Sequence, residues 1–287
     1  MPTIRQLTTE LATALLAVYP DPEAESMAGI VVEHLLQLSP LQRRMRSAEA
    51  VTAEVETQVR QIQARLLFHE PVQYVLGVAH FAGLELEVTP ATLIPRPETE
   101  ELVALIIAEQ RGKPDLMVVD IGTGSGCIPI ALQQALQPRR VVGVDISPAA
   151  LEVARRNAAR YQSPVEFVQT DILTQQLVGI EPDSVAVLVS NPPYVLENER
   201  PLMRRNVLDY EPSTALFVPN DDPLLFYRRI GELGQRWLRP GGGLYFEINE
   251  QYAAELVALL LEQGYASVEP RQDIFGKDRM ARATKNG

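Results

Sequence analysis

Apolar residues follow two rhythms along this chain. Over roughly the first 70 residues they recur every three or four positions, as expected for helices with one buried face. The sets are Leu7, Leu11, Leu15 and Val18; then Met27, Ile30, Val31, Leu35 and Leu38; then Val51, Val55, Val59, Ile62 and Leu66. Tyr19-Pro-Asp-Pro22 divides the first set from the second. Ser39-Pro40 and a basic patch (Arg43, Arg44, Arg46) divide the second from the third, with Ser47 as the expected N-cap. Pro71-Val-Gln-Tyr-Val-Leu-Gly77 reads as a helix exit and turn. Beyond it, His80 to Val88 partly alternates, so that Phe81, Leu84, Leu86 and Val88 can share a face, which predicts a short hairpin. The expected organisation is a small helical bundle over residues 1–75, a β-hairpin linker over 76–96 and a larger domain over 97–287.

The second rhythm begins after that hairpin. Pro97 suits the first turn of a helix, with Glu98, Glu100 and Glu101 at the favourable end of its dipole and Leu102, Leu105 and Ile106 continuing it. From about residue 115, short β-branched runs alternate with amphipathic stretches. The expected strands are Leu116–Ile121, Val141–Val144, Val165–Val168, Val185–Ser190 and Gly243–Ile248, with Ala266–Glu269 and Arg279–Ala283 as two last ones. The expected helices are Cys127–Leu136, Pro148–Tyr161, Pro223–Leu238 and Gln251–Gln263. Such alternation predicts an α/β fold with a doubly wound, mostly parallel sheet. Pro129 fits only if its helix starts near Gly126, which puts the ring in the first turn.

Composition narrows the function. The chain has 287 residues, 46% of them apolar, which is ordinary for a globular protein with a real core. Its net charge of −11 disfavours general binding to phosphate backbones. Residues 1–80 carry six Arg against nine acids, so no basic arm is hidden there. Cys127 is the single cysteine, and His34, His69 and His80 lack metal-ligand spacing, so neither a disulfide nor a metal centre is expected. The N-terminus has no apolar signal core and no stretch is long enough to span a bilayer, so the expected location is the cytoplasm, with no membrane partner.

Three strand ends carry acids or glycines that suit one ligand. Asp120-Ile-Gly-Thr-Gly-Ser-Gly126 follows the first strand and opens a helix; Gly122, Thr123, Gly124, Ser125 and Gly126 let backbone N–H groups approach a ligand. Asp120 is placed to take an ammonium group. Asp145 ends the next strand, where a carboxylate can accept from both hydroxyls of a ribose. Asp171 and Ile172 follow the third strand and flank the position of an adenine. An ammonium and a nucleoside without a pyrophosphate describe S-adenosylmethionine.

The fourth strand stops abruptly at Asn191-Pro192-Pro193-Tyr194. Two consecutive prolines cannot continue a central strand, so the chain leaves the sheet as a stiff loop at the edge where α/β sheets bind ligands. The side-chain carbonyl of Asn191 and the backbone carbonyl of Pro192 can together hold a planar –NH2 by its two hydrogens. Tyr194 is expected to pack on that flat group or line the pocket. Arg96, held between two prolines before the Pro97 helix, is a further candidate for ligand contact.

These stretches together resemble the PrmC/HemK family of N5-glutamine methyltransferases. The resemblance runs over nearly the whole chain: Pro71-Val-Gln-Tyr-Val-Leu-Gly77, Phe81, Thr92-Leu-Ile-Pro-Arg-Pro-Glu-Thr-Glu100, Asp120 to Gly126, Asp145, Asn191-Pro-Pro-Tyr194, Tyr210-Glu-Pro212 with Ala215-Leu216, and Asp273 to Arg279. It implies a Rossmann-like class I methyltransferase domain with a seven-stranded sheet and an all-α N-terminal domain that docks the substrate. The implied substrate is the Gln of the Gly-Gly-Gln loop of class 1 peptide chain release factors. Cofactor contacts then fall to the glycine loop, Asp145, Ile172 and Asn191, and the glutamine site to Asn191–Tyr194. Pro129 and the aliphatic Ile172 depart from the family pattern. Asn-Pro-Pro-Tyr also occurs in adenine N6-methyltransferases of nucleic acids, and a cofactor-binding fold retained as an assembly factor is a third reading; the acidic charge opposes the former, and the intact Asn191, Asp120 and Asp145 the latter.

Overall fold

The computed structural model describes residues 1–175 and 177–287, and the chain divides into two compact units: Met1–Val78 with Arg204–Tyr210, and Ala79–Met203 with Glu211–Gly287.

The first unit is helical, with helices Ile4–Leu15, Asp21–Leu36, Pro40–Met45, Ala53–Leu66 and Val72–Leu76. Its core takes one face of each long helix: Ile4, Leu7, Leu11 and Leu15 meet Met27, Val31, Val32, Val59 and Leu66. Ile30 is exposed, so the second apolar stripe is narrower than its spacing suggests. The cap of the fourth helix is Thr52, not Ser47. Ser47 lies in the preceding turn, where its hydroxyl accepts from Arg5 at 3.2 Å. The Ser39-Pro40 break itself starts a short helix, with a reciprocal Ser39–Gln42 capping box and Pro40 at its first position. Gly77, at φ +72°, ends the helix Val72–Leu76. The segment Arg204–Tyr210 belongs to this unit: Arg204 pairs with Glu23, and the Tyr210 hydroxyl donates to the Phe68 carbonyl at 2.9 Å.

The hairpin β1 (Val78–Phe81) and β2 (Leu84–Glu87) falls, from Ala79 on, in the second unit. A seven-stranded sheet follows: β3 (Met117–Ile121), β4 (Arg140–Asp145), β5 (Val165–Gln169), β6 (Val185–Ser190), β9 (Leu238–Glu247), β10 (Tyr265–Gln272) and β11 (Asp278–Lys285). Two short strands, β7 (Val195–Leu196) and β8 (Phe217–Val218), pair with each other across the loop after β6. The spatial order is β10-β11-β9-β6-β3-β4-β5. The strands from β9 to β5 run parallel, and β11 runs antiparallel to both of its neighbours.

Every residue of β3 and β6 is buried, because helices cover both faces. Val119, Ile121, Leu188 and Phe246 face the helices Leu225–Trp237 and Ala253–Glu262; Val118, Val187, Val189 and Tyr245 face Pro97–Gln110 and Cys127–Leu136. The helix Cys127–Leu136 starts directly after Gly126, which leaves Pro129 in its first turn, as the ring requires. β9 starts earlier than expected. Leu238 already pairs with Val185, and a register irregularity absorbs Pro240 and the glycines before Gly243 meets Val187.

The chain lays down β3, β4 and β5 in one direction and then crosses back to place β6 on the other side of β3. A crevice opens where a parallel sheet reverses order, at the carboxyl ends of its strands. Here that point lies between Ile121 and Ser190, which are paired. The Ser190 hydroxyl fastens the two ends by donating to the Ile121 carbonyl at 2.7 Å.

Candidate active site

At that switch point lies a cavity of about 370 Å³. Its wall brings together Gly122, Thr123, Gly124, Ser125, Asp145, Asp171, Ile172, Asn191, Pro192, Pro193 and Arg96. Three expected residues do not reach its wall: Asp120, Gly126 and Tyr194.

Asp120 is fully buried behind the glycine loop, and neither of its carboxyl oxygens has a hydrogen-bond partner among the described residues. Burial pushes its carboxyl up to about 7, opposed by the Thr123 hydroxyl, which lies beside it but outside good hydrogen-bond geometry, and helped by the charge of Asp145. The hydroxyls of Thr123 and Ser125 are likewise buried and unpartnered. Unsatisfied buried polar atoms are costly, and four of them around one loop are consistent with a polar ligand there. Gly126 is structural. At φ +80° it caps the following helix, and a Cβ there would lie 3.1 Å from Ile130 and 3.2 Å from Ala154.

Asp145 ends β4 with Oδ2 accepting from Gly124 N at 2.8 Å and Oδ1 from Ser147 N at 2.9 Å. Both oxygens keep lone pairs for a ligand. Asp171 caps its own turn, accepting from Leu173 N and from the Thr174 hydroxyl, and Ile172 adds a buried apolar surface. These carboxylate acceptors, with the apolar Ile172, fit an ammonium, a ribose and a base in that order along the strand ends.

The other half of the cavity is built by β6 and its neighbours. Asn191 Nδ2 donates to Thr99 Oγ1 at 3.1 Å, and Thr99 donates to Glu247 Oε2 at 2.5 Å. Thr99 lies in the first turn of the helix Pro97–Gln110. Glu247 follows Phe246, the partner of Ser190, so the register of β9 brings it beside the residue after Ser190. The sequence places Tyr194 against the flat substrate group or in the pocket wall. Its ring instead packs against the sheet core, and its hydroxyl donates to Glu247 Oε1 at 3.1 Å, because a buried carboxylate there needs donors. Burial raises Glu247 above the usual carboxylate range, while its bonds from Thr99 and Tyr194 oppose that shift.

Arg96 lines the cavity with its guanidinium held by Glu211, at 2.5 Å. Glu211 also accepts from Ile94 N at 3.2 Å and its side chain is 1% exposed. The Ile-Pro-Arg-Pro stretch and the end of the loop after β6 are thereby joined. Phe217 adds an aromatic wall, with Arg200 stacked 3.9 Å from its ring centre. The sequence does not point to Thr99 or Glu247 as individual functional residues: Thr99 is signalled only by its place in a quoted stretch, and Glu247 by nothing.

Residues 7–77 match the PrmC N-terminal domain, and residues 118–207 match a methyltransferase domain. The chain is 42% identical, over 98% of its length and 100% of the relative's, to the release factor glutamine methyltransferase of Bacteroides thetaiotaomicron. The chain belongs to the release factor glutamine methyltransferase family. The enzyme of that name from Flavobacterium psychrophilum is 39% identical over 96% of this chain and 97% of the relative. Among solved structures, a methyltransferase from Pyrococcus furiosus superposes with a TM-score of 0.54 at 20% identity, over 79% of this chain and 99% of that one. The likeness to that structure is one of fold, and the sheet described above is that of a class I methyltransferase.

Proposed function

We infer that the protein is an S-adenosylmethionine-dependent methyltransferase acting on the side-chain amide nitrogen (N5) of the glutamine in the Gly-Gly-Gln motif of class 1 peptide chain release factors. The observation that carries this reading is Asn191, whose amide nitrogen is tied back to Thr99 in the wall of the cavity that the glycine loop and Asp145 also line. Its Oδ1 has no hydrogen-bond partner among the described residues, and so is available as an acceptor.

When bound, S-adenosylmethionine supplies an electrophilic methyl group. Thr123 and Ser125 would hold its amino-acid end, with the Asp120 carboxylate behind the loop acting through its charge; Asp145 would hold its ribose, and Asp171 with Ile172 its base. Asn191 Oδ1 and the Pro192 carbonyl hold the two hydrogens of the glutamine amide. That nitrogen is a weak nucleophile because its lone pair is delocalised, so the residues act by orientation and by favouring positive charge as it develops. The two prolines keep both acceptors on a stiff backbone. No strong base is required before attack, since the amide proton leaves once nitrogen is alkylated. No described helix is long and apolar enough to cross a membrane. A release-factor partner suits a cytoplasmic enzyme, and the helical unit would serve as the docking surface for so large a substrate.

The test is incubation with isotopically labelled S-adenosylmethionine, a release factor and nucleic acid together, followed by mass spectrometry of the tryptic peptides. Label on the glutamine of Gly-Gly-Gln is expected, and should vanish in Asn191→Ala while cofactor binding persists. Label on adenine, or full activity of Asn191→Ala, would overturn the reading.

A further inference from the structure

The two ends of an asparagine amide are alike in shape and opposite in chemistry: one atom accepts and the other donates. Which end Asn191 shows to the cavity depends on what holds the other. Thr99 holds it. Its single hydroxyl proton lies on the bond to Glu247 Oε2 at 2.5 Å, so only lone pairs remain for Asn191, and Asn191 Nδ2 donates into them at 3.1 Å. The sequence carboxylate, hydroxyl, amide therefore has a direction. Thr99 and Glu247 are each 2% exposed, so bulk water does not compete for these bonds. The second carboxylate oxygen accepts from Tyr194 at 3.1 Å. Both ends of Asn-Pro-Pro-Tyr are thus fastened to one side chain, Tyr194 directly and Asn191 through Thr99.

We propose that Thr99 is a positioning and specificity-determining residue: oriented by Glu247, it fixes the Asn191 amide with Oδ1 toward the cavity and so tunes the site to a substrate that brings N–H donors. The inference rests on the reading of Asn191 as acceptor for the glutamine amide. A site presenting only acceptors rejects a carboxylate of the same shape, because lone pairs would face lone pairs. Without the Thr99 hydroxyl the Asn191 amide can turn over, which lowers the fraction of productive complexes and softens the choice between Gln and Glu. A residue that merely filled space would affect neither.

The experiment compares wild type, Thr99→Val, Thr99→Ser, Glu247→Gln and Asn191→Ala. Readouts are kcat and KM with a release factor, affinity for S-adenosylhomocysteine, melting temperature, and relative binding of the factor carrying Gln or Glu in its Gly-Gly-Gln motif. Thr99→Val, which keeps the side-chain shape, is expected to lower kcat by about 10- to 100-fold with S-adenosylhomocysteine affinity nearly unchanged, as for loss of an orienting hydrogen bond. Its preference for Gln over Glu should shrink several-fold. Thr99→Ser, which keeps the hydroxyl, should recover most of both. Glu247→Gln offers one acceptor to two hydroxyl donors, and should lower kcat in the same direction; it carries the test if Thr99→Val does not fold. Wild-type kcat and Gln/Glu preference in folded Thr99→Val, or in folded Glu247→Gln should Thr99→Val not fold, with Asn191→Ala inactive, would overturn this inference alone. An active Asn191→Ala would instead overturn the acceptor reading beneath it.

Discussion

Asp145 reaches back from the end of β4 to accept the Gly124 backbone N–H at 2.8 Å, which ties the glycine loop to the neighbouring strand end. One carboxylate thereby shapes the loop and keeps lone pairs free for a ligand's hydroxyls. Asp145→Asn is not conservative here. Its amide nitrogen must face Gly124 N or Ser147 N, both of which are donors. Losing charged acceptors at buried donors costs about 1.5–3 kcal/mol, or roughly 10- to 150-fold in affinity. Calorimetric titration with S-adenosylhomocysteine should show that loss in Asp145→Asn and Asp145→Ala alike. Affinity within twofold of wild type would remove Asp145 from the cofactor site.

Asp120 makes cofactor binding and stability depend on pH in opposite senses. Its carboxyl titrates near 3.8 in an unfolded chain and at about 7 in the folded one. Between those values the folded state holds the extra proton, so its stabilising contribution is complete below about pH 4 and is lost as pH rises through 7. At about 1.4 kcal/mol per pKa unit, the change across that window is on the order of 4 kcal/mol. An ammonium brought near Asp120 favours the ionised form, so affinity for S-adenosylhomocysteine should tighten between pH 6 and 8 with release of a proton. In Asp120→Asn the affinity should be flat over that range, and its melting temperature should gain on wild type as pH rises. Parallel pH profiles in the two proteins would show that Asp120 does not titrate there.

Most of the sheet was legible because strands buried on both faces, such as Val185–Ser190, read as continuous apolar runs. The glycine loop and the two prolines after Asn191 were legible because each breaks its pattern for a stated backbone reason. The start of β9 was not, since Pro240, Gly241 and Gly242 look like a loop, and only an irregular register joins the pairing of Leu238 with Val185 to that of Gly243 with Val187. Glu247 was illegible for a different reason. It is one of 37 acidic residues, and only the pairing of Phe246 with Ser190 reveals that it ends beside Asn191. Tyr194 was misread because sequence places it next to the site without saying which way its ring turns. A buried carboxylate on another strand decided that.

Gly126 is held by conformation and by space at once. Its φ of +80° disfavours any residue with a Cβ, and that Cβ would lie 3.1 Å from Ile130 and 3.2 Å from Ala154. Gly126→Ala should therefore destabilise the protein by about 2–4 kcal/mol, combining backbone strain with overpacking. Urea unfolding of the chain without cofactor reads this directly. An unchanged midpoint would mean that the loop relaxes freely, and would weaken its case as a preformed cradle.

Glu211 shapes the rim of the same cavity from the far end of the loop after β6. Its nearly buried carboxylate accepts from Ile94 N and from the Arg96 guanidinium. Glu211→Ala strands a backbone N–H and leaves a partly buried cation without its partner. Because Arg96 is 31% exposed, water can solvate part of that charge, and the cost should be about 1–3 kcal/mol rather than that of a fully buried pair. The functional effect should exceed the loss of stability, since Arg96 lines the cavity and loses its anchor, which is next in the chain to the cavity-lining Pro212. KM for the release factor should rise severalfold while affinity for S-adenosylhomocysteine changes little, because the hydrogen-bond partners of Glu211 are Ile94 N and Arg96. Arg96→Ala removes the other half of the pair. If Arg96 serves only to hold Glu211, the double variant should be no worse than the more severe single one; if it also touches the substrate, Arg96→Ala should raise KM further in the Glu211→Ala background. Steady-state kinetics on the four proteins separates these outcomes.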